Sequence, residues 1–170
     1  MSRLLYWAAA LLAIALPGPA WATAGERECS VAAGVASGSA VTRPMLALDG
    51  QWLHHASDFW AFGGALRARS ALDRQYAAAA TVDARWTLDA LTWIPSLAVG
   101  VGPQLASWQS NPVALVARGE ASLAWRGARD HGWVLRAAWE GSPLQTPLGG
   151  LWTLSIGYVD YHGHGIGVDL

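Results

Sequence analysis

Residues 76–88 read YAAAATVDARWTL, and their alternation decides the fold. Tyr76, Ala78, Ala80, Val82, Ala84, Trp86 and Leu88 are apolar or amphipathic. Between them stand Ala77, Ala79, Thr81, Asp83, Arg85 and Thr87, which are small, polar or charged. Successive side chains of a strand point to opposite faces, so this period of two predicts a strand with one apolar and one polar face.

The same pattern recurs on both sides. In Val113–Arg126, Val113, Leu115, Leu123 and Trp125 oppose Arg118, Glu120, Ser122 and Arg126. In Asp58–Ser70, Trp60, Phe62 and Leu66 oppose Ala65, Arg67 and Arg69, and in His131–Gly141, Trp133, Leu135 and Trp139 oppose Val134, Arg136 and Glu140. Pro44–His54, Leu97–Leu105 and Trp152–Tyr158 alternate likewise, and Ser30–Val41 does so more weakly. Turn-like stretches separate them at Gly38–Arg43, His55–Asp58, Ala71–Gln75, Asp89–Trp93, Gln109–Pro112, Gly127–Asp130 and Ser142–Gly149. Connections this short join only antiparallel neighbours. The expected fold is all-β, an eight-stranded antiparallel up-and-down barrel. His162-Gly163-His164-Gly165 offers a turn into a ninth strand, but one long final strand is the preferred reading.

The chain begins with an export signal. Arg3 is followed by the apolar run Leu4–Leu16, by the breakers Pro17, Gly18 and Pro19, and by the small-x-small site Ala22-Thr23-Ala24. That order marks a cleaved secretory peptide over residues 1–24, with residues 25–170 as one domain. A run of this length is short for a spanning helix, and no later run is longer without a charge or a Gly/Pro break. Arg27 and Glu28 precede Cys29 where a lipidation motif needs small apolar residues, so Cys29 reads as a free thiol. With 11 basic residues, all Arg, against 12 acids and a net charge of -1, a nucleic-acid partner bound through a broad basic surface is excluded.

Two closures of such a barrel are opposite in chemistry. A soluble barrel is polar outside, whereas a membrane barrel turns an apolar band to lipid and encloses polar groups. One face here is nearly free of charge. The other carries Asp49, Arg67, Arg69, Asp83, Arg85, Arg118, Glu120, Arg126, Arg136 and Glu140. Placed inside, these groups pair across strands, with Gly63, Gly100 and Gly102 leaving room. The aromatic residues favour this arrangement. Trp52, Trp60, Trp86, Trp93, Trp125 and Trp133 flank turns at one end, and Tyr76, Trp108, Trp139 and Trp152 flank turns at the other. Two aromatic belts at the membrane–water boundaries are the expectation, with the outer-membrane lipid as partner.

The stretch ARWTLDALTWIP at 84–95, followed by LAVGVG at 97–102, resembles the strand–turn–strand segments of small bacterial outer-membrane barrels of the OmpA/OmpX-like class. The likeness is a pattern over most of the mature chain, not a specific motif. It implies the fold, a Gram-negative outer membrane and help from the barrel-assembly machinery during biogenesis, and no particular activity. The chain departs from the class in ending on Leu170 rather than an aromatic residue. With both termini in the periplasm, the outward loops are all short, which argues against an adhesin.

Chemistry is sparse. His55 and Ser57 match the His-x-Ser spacing of lipid A deacylase barrels, in which His activates Ser for acyl transfer. No acid is placed to orient the His, and a polar hairpin turn is the simpler reading. His162 and His164, with Asp160, are too few for a metal site, and no cofactor is implied. The expected role is non-enzymatic and structural, with a largely plugged lumen. The alternatives are a lipid A acyl hydrolase on the same barrel and a soluble periplasmic binder of an apolar ligand.

Overall fold

The computed structural model describes residues 25–163 apart from 40, 73, 89–91, 109–112, 128–129 and 143–149. The expected export signal, His164 and the C-terminal residues lie outside the described residues. Eight strands follow in order: β1 Arg27–Gly38, β2 Met45–His55, β3 Trp60–Ser70, β4 Tyr76–Thr87, β5 Trp93–Ala106, β6 Val113–Trp125, β7 His131–Gly141 and β8 Gly150–His162. Each pairs antiparallel with the next, and β1 with β8, so the sheet closes on itself and leaves no edge. β8 runs to His162, and the residues that offered a ninth strand beyond Gly163 lie outside the described residues.

The alternation read from the sequence sorts the side chains by face. On β4, Tyr76, Ala78 and Val82 are exposed, while Ala77, Ala79, Thr81, Asp83, Arg85 and Thr87 are buried. The sorting is inverted relative to a protein that folds in water. Val82 and Leu46 are 73% and 72% exposed, whereas Arg136 and Glu140 are 1% and 2% exposed. An apolar surface of this extent in water would be an aggregation site; against lipid it is satisfied.

Eight strands make a barrel just wide enough for side chains to fill. Glycine sets where that filling is tightest. A Cβ on Gly100 would collide with the Asp83 carboxylate, and one on Gly63 would collide with the backbone of Trp52 and Leu53. The proximal end of the barrel is defined here as the one where β1 starts and β8 finishes, and the distal end as the other. Gly25, at φ +96°, turns the chain at the proximal lip, where its N–H donates to the His55 carbonyl at 2.8 Å.

Candidate functional site

The interior is the largest assembly of polar chemistry among the described residues. All ten charged residues singled out in the sequence are buried in it. Two further acids join them, Glu26 and Glu28. Six arginines therefore face six carboxylates, where the sequence reading counted six against four. The alternation legible in the sequence begins only at Ser30, which leaves Glu28 out. β1 starts at Arg27, which puts Glu28 on the inward side with Ser30 and Ala32. An interior left with two uncompensated cations was itself a signal that acids were missing, since an isolated buried charge is far too costly to keep.

The network has two lobes. In the proximal lobe, Arg85 donates to Glu28 at 2.5 Å and also bonds Gln51. Gln51 in turn donates to Glu120 at 3.4 Å. Arg136 donates to the Ser30 hydroxyl at 2.5 Å and lies 3.8 Å from Glu120. In the distal lobe, Glu140 accepts from Arg69 at 2.7 Å and pairs with Arg67 at 2.9 Å. Arg118 donates to Asp83 at 2.9 Å and sits 3.7 Å from Glu140. Arg118 also pairs with Glu120, and this contact joins the lobes. Asp49, in register with Arg67, has no ion pair within 4.0 Å among the described residues. Arginine suits this packing because its planar fork serves several carboxylate oxygens at once.

The interior is not polar throughout, as the lumen was expected to be. At the proximal end Ile94, Ala124, Val134, Val159 and Tyr161 form a buried apolar cluster. Arg126 lies 4.1 Å above the Tyr161 ring and pairs with Glu26 at 2.9 Å. At the distal end Ala36, Met45 and Ala47 form a second cluster, with Val41, Ala71 and Trp108 packed on it. Trp108 is a correction to the outer belts. β5 ends at Ala106, the alternation stops there, and the indole folds inward over the distal mouth.

The other aromatic positions stand on the outer face. Trp93, Trp125, Trp133 and Tyr158 are in direct register across β5–β8 at the proximal end, and Trp60 pairs with Trp86 across β3 and β4. Trp52 continues the row on β2. At the distal end Trp139 faces Trp152, and Tyr76 is exposed. Trp86 and Trp139 are half-buried by their neighbours. Within the strands the only charged outward residues are Arg27 and Asp160, both at the proximal rim.

His55 and Ser57 are not brought together. His55 is 1% exposed, its Nε2 is 3.5 Å from Glu28, and neither ring nitrogen has a hydrogen-bond partner. The Ser57 hydroxyl accepts the backbone N–H of Trp60 at 3.1 Å and of Phe59 at 3.4 Å, which caps the β2–β3 turn. His162 and Asp160 pair at 3.0 Å on the outer face, and no cluster of three or more metal-ligating residues occurs among the described residues. In the β6–β7 turn, Asp130 is held below the usual carboxylate range by its own backbone N–H and then by His131 at 2.8 Å.

With charges inside, lipophilic residues outside and a closed antiparallel sheet, one architecture remains. The fold is that of an outer-membrane barrel. Neisserial surface protein A superposes with a TM-score of 0.65 at 9% identity, covering 81% of this chain and 97% of that one. The N-terminal β-barrel domain of OprF from Pseudomonas aeruginosa gives 0.60 at 14% identity, covering 81% of this chain and 99% of that one. A de novo designed transmembrane barrel gives 0.57 at 13% identity, covering 83% and 98%. No protein-family model and no curated protein matches the chain. At such identities the shared property is the fold, and function rests on the residues themselves.

Proposed function

We propose that the protein is an integral outer-membrane barrel with a sealed interior and a structural role in the envelope, without enzymatic activity. The observation that carries this reading is the filling of the lumen. Five arginines and five carboxylates fill the middle of the lumen, the Arg126–Glu26 pair stands with the apolar cluster at the proximal end, and a second apolar cluster lies at the distal end. Most of the groups that line a pore in larger barrels are here bonded to one another, which supports a plugged lumen. The two rows of outward aromatics are assigned to the membrane–water boundaries, and residues 1–24 to a signal removed on export. The apolar cavity that a soluble ligand-binding barrel needs is occupied by charge, which counts against that alternative.

Two measurements test the reading. Cells expressing the full chain should hold it in the outer membrane, with a gel mobility that changes on boiling. The purified barrel in a planar lipid bilayer should give no conductance steps at neutral pH. Reproducible steps would overturn the sealed interior, and recovery in the soluble periplasm would overturn the membrane assignment.

A further inference from the structure

The proximal rim carries three basic side chains in one row. Arg27 on β1 is in register with His54 on β2 on one side and with His162 on β8 on the other, and all three point outward. Register partners on neighbouring strands lie about 5 Å apart, so the row spans roughly 10 Å. One step deeper on the same face, Cys29 is flanked by Trp52 and Asp160, and the next step places Val31 between Gly50 and Tyr158. Each step is about 7 Å along the strand, which puts the basic row just outside the aromatic row.

Below the row the outer surface is dented. On three adjacent strands the outward positions Gly50, Gly64 and Ala80 are small. They floor an apolar groove of about 590 Å³ walled by Val31, Trp52, Leu66 and Tyr158. At the proximal mouth a polar cavity of about 580 Å³ is lined by Gly25, Arg27, Tyr161, His162 and Gly163. Cys29 and Asp160 line the upper edge of the groove, and Asp160 is paired with His162 at 3.0 Å, which holds that imidazole at the rim. A basic row one strand step from an apolar groove is an arrangement for an amphiphile. One fixed cation between two imidazoles complements a phosphodiester, whose fork-like oxygens suit arginine.

We propose that this face holds one anionic glycerophospholipid, its phosphodiester on His54, Arg27 and His162 and one acyl chain in the groove over Gly50, Gly64 and Ala80. The inference rests on the outer face being lipid-facing. It adds to that reading a fixed site of stated headgroup chemistry at the proximal end.

Native mass spectrometry of the full barrel released from detergent tests it. The probes are an equimolar mixture of phosphatidylglycerol and phosphatidylethanolamine and, separately, inorganic phosphate. Phosphatidylglycerol should be retained about five-fold over phosphatidylethanolamine, the size expected of roughly one basic residue at an anionic surface. The triple variant Arg27→Gln, His54→Gln, His162→Gln should lose that preference. Gly50→Leu should reduce retention of both lipids; its Cβ has room, the nearest atom being the Leu66 carbonyl oxygen at 3.9 Å. Boiling-dependent mobility checks the fold of each variant, and if the triple variant does not fold, wild type and Gly50→Leu decide. Equal retention of the two lipids by the wild type, or unchanged retention in Gly50→Leu, overturns the site. Binding of inorganic phosphate with no lipid preference would also overturn it, as an ion site without a lipid. A chain that stays soluble without detergent would instead refute the membrane assignment, a result distinguishable from loss of lipid preference in a detergent-held barrel.

Discussion

In the middle of the barrel Arg118 touches Asp83, Glu120 and Glu140, whereas at the distal end Met45 packs on Ala36 and Ala47. The two regions occupy the same lumen and solve the same problem of filling it by different physics. In the middle the requirement is neutrality and mutual bonding, because every carboxylate left alone out of water costs several kcal/mol. At the ends the requirement is shape, because an apolar side chain there excludes water without needing a partner. Glu140, shared by Arg67 and Arg69, fails if any partner is removed, whereas Met45 tolerates whatever fills its volume. On the proposed reading of a sealed lumen, the difference divides the labour: the ends would keep water out and the middle would leave no mobile charge inside.

The largest effect is expected where the middle is broken. Glu140→Ala deletes the acceptor of Arg69 at 2.7 Å and Arg67 at 2.9 Å, and leaves both guanidinium groups buried. Removing one partner from a buried ion pair costs about 3–5 kcal/mol. Urea unfolding of the barrel in lipid vesicles measures it. Glu140→Gln, which keeps an acceptor oxygen but not the charge, should fall between the variant and the wild type. Equal stability of all three would mean that the middle layer is held by packing, as the ends are, and would erase the contrast.

Met45→Ala sharpens it from the other side. The lost side chain leaves a void beside Ala36 and Ala47, at a cost of about 2 kcal/mol, the low end for Met→Ala because the site is at a mouth and can relax. Conductance should remain absent, because the charged layer still blocks the lumen. If Met45→Ala alone opened a conducting state, the end cluster and not the ion-pair layer would be the seal.

The same contrast explains what the sequence disclosed. A period of two is written by the requirement that one face meets lipid and the other does not, so the strands from β2 to β7 were legible to within a few residues. The central charges were legible because Arg67, Asp83 or Glu120 on an alternating strand has only one face on which it can be buried and paired. The apolar ends of the lumen were legible only in part. Val134 falls on the charged face by alternation, but Ile94 and Val159 lie beyond the alternating segments Leu97–Leu105 and Trp152–Tyr158 and have the composition of lipid-facing residues. Glu28 escaped for a related reason: Arg27 and Glu28 are both charged, so the alternation of β1 is hidden at its first turn. Trp108 looked like its belt neighbours because nothing in the sequence marks where β5 stops.

The smallest expected effect concerns Ser57, and it bears on the one enzymatic reading that the sequence suggested. The Ser57 hydroxyl accepts two backbone N–H groups in the β2–β3 turn and makes no bond to His55. A nucleophilic serine needs a base within hydrogen-bond reach to take its proton. Here the His55 imidazole faces into the lumen at Glu28, 3.5 Å away, while the Ser57 hydroxyl is engaged in the β2–β3 turn. Ser57→Ala should therefore cost about 0.5–1 kcal/mol, the value of an exposed turn hydrogen bond, and should leave the acylation pattern of lipid A unchanged by mass spectrometry. His55→Phe, by contrast, should act on the interior, shifting stability through the loss of the Glu28 contact and leaving lipid A untouched. An acyl chain retained on lipid A in both variants but removed by the wild type would bring Ser57 and His55 into one mechanism and end the division between a working interior and an inert turn.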